Sequence, residues 1–165
     1  MAMSRVAYIA RDSAVAFLAA VAAAMGVYWL VRVGLGELEV IPPLDVTGLF
    51  TLQQWEERYM RTTLLICTGC GVVVFIWSML GSGLWRGKRG DGRLTWVLLC
   101  VGTGVAALGI SWVRLPPTEI GSNTALMLQS AAGILTVWLG TLVGAPLPFR
   151  FTPIGARWVR AWLPW

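Results

Sequence analysis

Two cysteines at a spacing used in redox proteins are the residues best suited to chemistry in this chain. Cys67 and Cys70 form a Cys-x-x-Cys pattern inside an apolar run from Thr62 to Trp85. This spacing serves thiol–disulfide exchange or metal binding in other proteins. The sequence contains no histidine, so the commonest zinc ligand, the usual general base and the usual axial haem ligand are all missing.

Composition places most of the chain in lipid. It has 165 residues, of which 57% are hydrophobic and 13% are charged, whereas soluble proteins carry about 25% charged residues. So little polar surface cannot cover a water-soluble globule. A backbone in lipid must satisfy its own hydrogen bonds, and we therefore predict an all-α integral membrane protein that forms a single membrane domain.

Four apolar segments have about the 20 residues needed to cross the hydrocarbon core of a bilayer. The predicted spans are 13–33, 62–82, 94–113 and 123–144. Arginine and lysine are concentrated at the N-terminus, in loop 83–93 and in tail 146–165, whereas loop 34–60 holds most of the acidic residues. The positive-inside rule then predicts a four-helix bundle in a bacterial inner membrane, with both termini cytoplasmic and the first loop outside.

With its Cys-x-x-Cys motif and four spans, the chain resembles four-helix thiol oxidoreductases that pass electrons to quinone. The resemblance covers only this motif and the helix count, and it implies that Cys67 and Cys70 form the redox pair. Those enzymes hold their motif at the periplasmic membrane edge and generally use a second cysteine pair in a loop. Here no cysteine lies in a predicted loop, and Cys67 lies roughly two turns inside its span. A thiol in hydrocarbon carries little thiolate and is a poor nucleophile.

Small residues at helical spacing offer a structural interpretation of the same motif. Cys67 and Gly71 are four residues apart, as are Cys100 and Gly104 in the third span. Such spacing lets helix backbones approach closely in lipid. Gln129, the most polar side chain in any span, is expected to hydrogen-bond to a neighbouring helix, in this chain or in another subunit. The residues predicted to form helix contacts are Ala16, Ala20, Ala24, Cys67, Gly71, Cys100, Gly104, Gln129, Gly140 and Gly144.

The end of the first loop, 51–60, has the pattern of a short amphipathic helix. Thr51 and Gln54 fit a capping box at its start. Leu52, Trp55 and Tyr59 share one face, which we expect to lie on the outer leaflet or to dock on a partner. The residues predicted to face a partner are Trp55, Glu56, Glu57 and Tyr59.

Basic residues on the predicted inner side suit contact with anionic lipid headgroups. Loop 83–93 is rich in glycine, but it lacks the Gly-Lys-Ser/Thr ending of a phosphate-binding loop. In the tail, Ile154, Trp158 and Trp162 fall roughly on one face, which predicts an interfacial helix. The predicted headgroup ligands are Arg86, Lys88, Arg89, Arg157 and Arg160. Because the positive-inside rule explains the net charge of +5, nucleic acid is not an expected partner.

The predicted spans contain no Asp, Glu, Lys or Arg at depth, although ion and proton pathways usually contain one. We therefore predict a non-catalytic membrane subunit of a larger multi-protein complex. Its expected partners are other membrane subunits and anionic lipids, with no cofactor besides structural lipids. Two alternatives stay open. The chain is similar in size and helix count to membrane subunits of tripartite substrate-binding-protein transporters, which implies solute transport; the other alternative is the thiol–quinone oxidoreductase.

Overall fold

A computed structural model describes residues 5–36, 52–79, 93–115 and 122–144, and within them every residue except Leu115 is helical. The helices are α1 (Arg5–Gly36), α2 (Leu52–Met79), α3 (Arg93–Arg114) and α4 (Ser122–Gly144). Each contains a segment long and apolar enough to cross a membrane. The predicted class is confirmed to the extent that the described residues are helical and contain four helices long and apolar enough to span a membrane.

The predicted short helix 51–60 is continuous with the second span in the structure. Helix α2 has 28 residues and is therefore about 42 Å long, which exceeds the roughly 30 Å of hydrocarbon. The sequence between Tyr59 and Thr63 contains neither glycine nor proline. In addition, the hydroxyls of Thr62 and Thr63 donate to the carbonyls of Arg58 and Tyr59, one turn back.

Helices α2 and α4 pack against each other at the centre of the bundle. Helix α1 packs on both of them, and α3 packs on α4 and, over a smaller area, on α2. Within the described residues α1 and α3 make no contact with each other. Helices α1 and α3 therefore flank a central pair and present wide outer faces.

The outer faces are apolar, as expected of surfaces in contact with lipid. Phe17 and Leu18 of α1, and Leu98 and Val113 of α3, are among the large exposed hydrophobic side chains. The interior is packed around Val74 of α2 and Val137 of α4.

Several predicted features lie outside the described residues. They include residues 83–92 of the basic loop, the interfacial tail helix and all five predicted headgroup ligands, Arg86, Lys88, Arg89, Arg157 and Arg160.

Candidate functional site

Small residues of α1 pack closely on α2 and on α4. A Cβ atom added to Gly71 would lie 3.4 Å from both the Ala20 carbonyl oxygen and the Ala24 Cβ. This is ordinary van der Waals distance, so the two helix backbones run close together here without being forced together. Ala16, one turn before Ala20, is buried beside Gly144 of α4, where an added Cβ would lie 3.6 Å from its Cα.

Gly140 of α4 packs tightly against α2. A Cβ atom on Gly140 would lie 2.7 Å from both Cγ atoms of Val74 and 3.2 Å from its Cβ. The valine is branched at Cβ and has little rotamer freedom in a helix, so it cannot easily move aside. Gly140 therefore packs against a large residue of α2, and the sequence pattern gave no indication of that partner.

The contact between α3 and α4 combines small residues with a hydrogen bond. A Cβ atom on Gly104 would lie 2.7 Å from Ile134 Cδ1, and the Gly104 carbonyl accepts a 2.9 Å hydrogen bond from the Ser130 hydroxyl. Gly133, which the sequence interpretation missed, packs on Ala107, with 3.2 Å between an added Cβ and the Ala107 Cβ. Its signal is weak in the sequence, because no second small residue follows Gly133 at the four-residue spacing used to find the other contacts.

All three cysteines are free thiols inside the bundle. Cys67 is 1% exposed, and the Thr136 hydroxyl of α4 lies 3.8 Å from its sulfur. Cys70 and Cys100 are also buried and belong to the central apolar cluster. Within the described residues, no group of three or more His, Cys, Asp or Glu side chains could hold a metal ion. The Cys-x-x-Cys pair thus lies among packed side chains.

Gln129 joins α4 to α2 through its side-chain amide. Its Nε2 donates a 2.7 Å hydrogen bond to the Thr63 hydroxyl and a 3.4 Å bond to the Tyr59 carbonyl. All three residues are fully buried. The neighbouring helix that receives this amide therefore belongs to the same chain.

A second polar link joins α3 to α4 near the other end of the bundle. The indole Nε1 of Trp96 donates a 2.9 Å hydrogen bond to the Thr141 hydroxyl, and both side chains are buried. Trp96 therefore packs between helices of this chain, and helical spacing alone gave no signal for its partner.

The aromatic stripe at the start of α2 packs inside the chain, which corrects its interpretation as a partner-facing surface. Trp55 is 4% exposed and Tyr59 is 0% exposed. Their rings stack with centroids 5.0 Å apart and pack with Leu115 and Ala125. The Tyr59 hydroxyl also donates a 3.4 Å hydrogen bond to the Ala125 carbonyl. The apolar side of this segment is therefore occupied by α4 and by Leu115, the residue that follows α3.

The acidic side of the same segment faces outward. Glu56 and Glu57 are exposed, and Glu57 forms an ion pair with Arg61 one turn further on. Ion pairs this exposed contribute little to stability. Of the four residues predicted to face a partner, only the two glutamates are accessible.

Asp12 is a buried acidic residue that the sequence interpretation did not single out. It is 8% exposed, and its carboxylate accepts a 2.9 Å bond from the guanidinium of Arg11. Asp12 lies inside the apolar segment Ile9–Gly34, one residue before the predicted start of the first span. The sequence feature that could have identified Asp12 is its position next to Arg11 at the edge of an apolar run.

Two apolar grooves open along the lipid-facing surface of α1. The larger, about 570 Å³, lies between α1 and α4 and is lined by residues such as Val27, Leu30 and Trp138. The smaller, about 350 Å³, lies between α1 and α2 and includes Ala24 and Gly71.

Comparison of the chain with protein-family models, curated proteins and solved structures finds no match.

Proposed function

We propose that the chain is a non-catalytic integral membrane subunit of a larger multi-protein complex. The observation that carries this proposal is a small-residue seam on the outer face of α3, formed by Gly102, Ala106 and Gly109. All three residues are exposed, and a Cβ atom added to either glycine would meet nothing within 4 Å. The seam therefore leaves room for another helix to approach the α3 backbone.

The seam is not needed for packing within the chain. Helix α3 uses a different stripe, which includes Cys100, Gly104 and Ala107, for its contact with α4. Between helices in lipid, association depends on close van der Waals packing, for which small residues are well suited. A lipid-facing surface has no such need for glycine, and glycine lowers helix stability relative to alanine. Close packing against a partner helix would explain why this face has two glycines although glycine lowers helix stability.

The environment of the thiols supports a role without catalysis. Reactive cysteines in enzymes are accessible and lie in electropositive surroundings, whereas buried thiols are inert. Cys67, Cys70 and Cys100 are all buried in the bundle. This placement favours packing over thiol–quinone exchange.

The proposed topology has both termini in the cytoplasm of a bacterium, with the bundle in the inner membrane. The distribution of arginine and lysine along the sequence supports this orientation. Glu56 and Glu57 then stand on the outer side, where they can contact a basic partner. On the inner side, the predicted interfacial tail and the headgroup ligands of loop 83–93 would contact anionic lipids.

The experiment is to measure the native mass of the complex that purifies with the tagged chain in mild detergent. The wild-type chain should purify with at least one other membrane protein in a fixed ratio. The double variant Gly102→Ile/Gly109→Ile fills the seam and should release that partner while the chain stays folded. The matched control is Val101→Ile, which adds bulk to a 54% exposed position about a quarter turn away from the seam on the same helix and should leave the complex intact.

Two results would count against the proposed subunit role. One is a wild-type chain that purifies as a monodisperse monomer from its native membrane. The other is a complex whose mass and composition are the same in the seam variant and in the control.

A further inference from the structure

Three helices converge at the outer end of the bundle. Tyr59 of α2 and Ala125 of α4 belong to one buried cluster with Leu115, the residue that directly follows α3. This cluster fixes which faces of the three chain segments point towards one another. Residues one helical turn from its members, towards the middle of the bundle, form the next layer of side chains.

The next layer inward contains three polar residues, one from each helix. Thr63, Ser111 and Gln129 each lie four residues from a member of the cluster, in the direction of the bundle interior. Residues four apart share one helix face. All three side chains are fully buried. The contact of Gln129 with Thr63 confirms that two of the faces meet at this level.

Contacts between α3 and α4 place Ser111 in the same layer. These helices are antiparallel: Trp96, early in α3, bonds to Thr141, late in α4, whereas Ala107, later in α3, lies against Gly133, earlier in α4. Continuing this register by one turn brings Ser111 to the level of 126–129 on α4. Ser111 also continues the stripe of α3 that packs on α4.

Two polar atoms of this layer have no hydrogen-bond partner within the part of the chain that the structure describes. They are the hydroxyl oxygen of Ser111 and the amide oxygen Oε1 of Gln129. A buried polar group without a hydrogen bond is costly, and most such groups in proteins are paired with protein or with ordered water. The amide nitrogen of Gln129 already donates its hydrogen bonds to Thr63 and Tyr59 of α2. The amide oxygen Oε1 of the same side chain still needs a hydrogen-bond donor.

We propose that one buried water molecule binds between Ser111 and Gln129 and links α3 to α4 at this level. The Ser111 hydroxyl donates to the water, and the water donates to Gln129 Oε1. Internal waters typically bridge buried polar groups in this way. Among the described residues, no carboxylate lies in this layer. Asp12 is near the start of α1, whereas the end of α1 that lies close to this layer contains Val31. A neutral water therefore fits better than a cation, which would leave an uncompensated charge in the membrane interior.

The direct test is an experimental structure of the full chain in lipid at a resolution that shows ordered waters. The expected result is one density peak within hydrogen-bond distance of both Ser111 Oγ and Gln129 Oε1. The site is overturned if Ser111 bonds directly to Gln129, or to the carbonyl of Ala107 one turn back, as buried serines in helices can.

A double-mutant cycle tests the same link without relying on density. Ser111→Ala and Gln129→Leu should each lower the equilibrium stability of the chain in detergent, with a coupling of about threefold between them. Ser130→Ala, which removes a hydroxyl bonded to the Gly104 carbonyl, should show no coupling to Gln129→Leu. Absence of coupling to Ser111 would overturn the bridge. Stabilisation by sodium but not by choline would replace the water with a bound cation.

Discussion

Gly140 has a specific steric role in the contact between α2 and α4. An added methyl group would collide with the branched side chain of Val74. Gly104 faces the flexible end of Ile134, Gly71 has ordinary contact distances, and Gly69 faces open space. Steric contact therefore decreases from Gly140 through Gly104 and Gly71 to Gly69. Alanine substitutions at these four positions can separate the effect of local packing from the effect of helix propensity.

We predict that Gly140→Ala destabilises the bundle by about 1–3 kcal/mol, the usual cost of overpacking. Gly104→Ala should cost less, because Ile134 is 40% exposed and its side chain has room to shift, whereas Val74 is fully buried. Gly69→Ala is the matched control and should be neutral or stabilising, since alanine is the better helix former. The measurement is reversible unfolding of the purified chain in detergent. Equal effects at Gly140 and Gly69 would show that the contact with Val74 is not tight.

At the residue scale, spacing along each helix predicted which small or polar residues take part in helix contacts, but not which residues they contact. Gly140 and Gly144, which the sequence marks as a small-residue face, both lie close to residues of other helices. However, Gly140 packs on Val74, a large residue that no small-residue pattern would select. Helix adjacency depends on contacts between distant parts of the chain, and residue spacing within one helix carries no information about them.

At the scale of the element, helix α2 begins at Leu52, before the predicted span 62–82, and this first part carries an aromatic anchor. Trp55 and Tyr59 hold this extension against Leu115 and Ala125. The sequence predicted a helix here from the periodicity of apolar residues, and that periodicity is real. It could not show whether the stripe packs on a lipid surface, on a partner or on the chain itself, because all three present an apolar surface.

We predict that Trp55→Ala lowers the stability of the isolated chain by about 3 kcal/mol, because it removes a large buried side chain. Glu56→Ala, at the adjacent exposed position, is the control and should leave stability nearly unchanged. Unfolding in detergent, followed by circular dichroism, measures both. If Trp55→Ala weakened the binding of a partner while the stability of the isolated chain stayed the same, the earlier interpretation of Trp55 as a docking residue would be right.

At the scale of the whole molecule, the four spans were predictable because hydrophobicity over about 20 residues is a local property. The arrangement of the helices was not, because it depends on which faces meet. Helices α1 and α3 stand on opposite sides of the central pair, and much of their apolar surface is left uncovered. The proposed orientation and the proposed partner both concern how this bundle sits in its membrane.

The orientation predicts which engineered cysteines a membrane-impermeant maleimide can reach in intact bacteria. Glu56→Cys should be labelled from outside, because Glu56 is exposed at the proposed outer end of α2. Asp91→Cys, in the basic loop, should be labelled only after the membrane is permeabilised. The wild-type chain gives the background, since its three cysteines are buried. The reverse pattern would invert the proposed topology.

Site-specific photo-crosslinking in the native membrane tests the central claim most directly. A photoreactive residue replaces Ala106, in the middle of the outer seam of α3, and Leu18 on the lipid-facing side of α1 provides the background. The subunit proposal predicts one discrete adduct with a different membrane protein from position 106, lost when Gly102 and Gly109 are both isoleucine. Lipid adducts alone, or an adduct of twice the mass of the chain, would contradict a role as the subunit of a larger multi-protein complex.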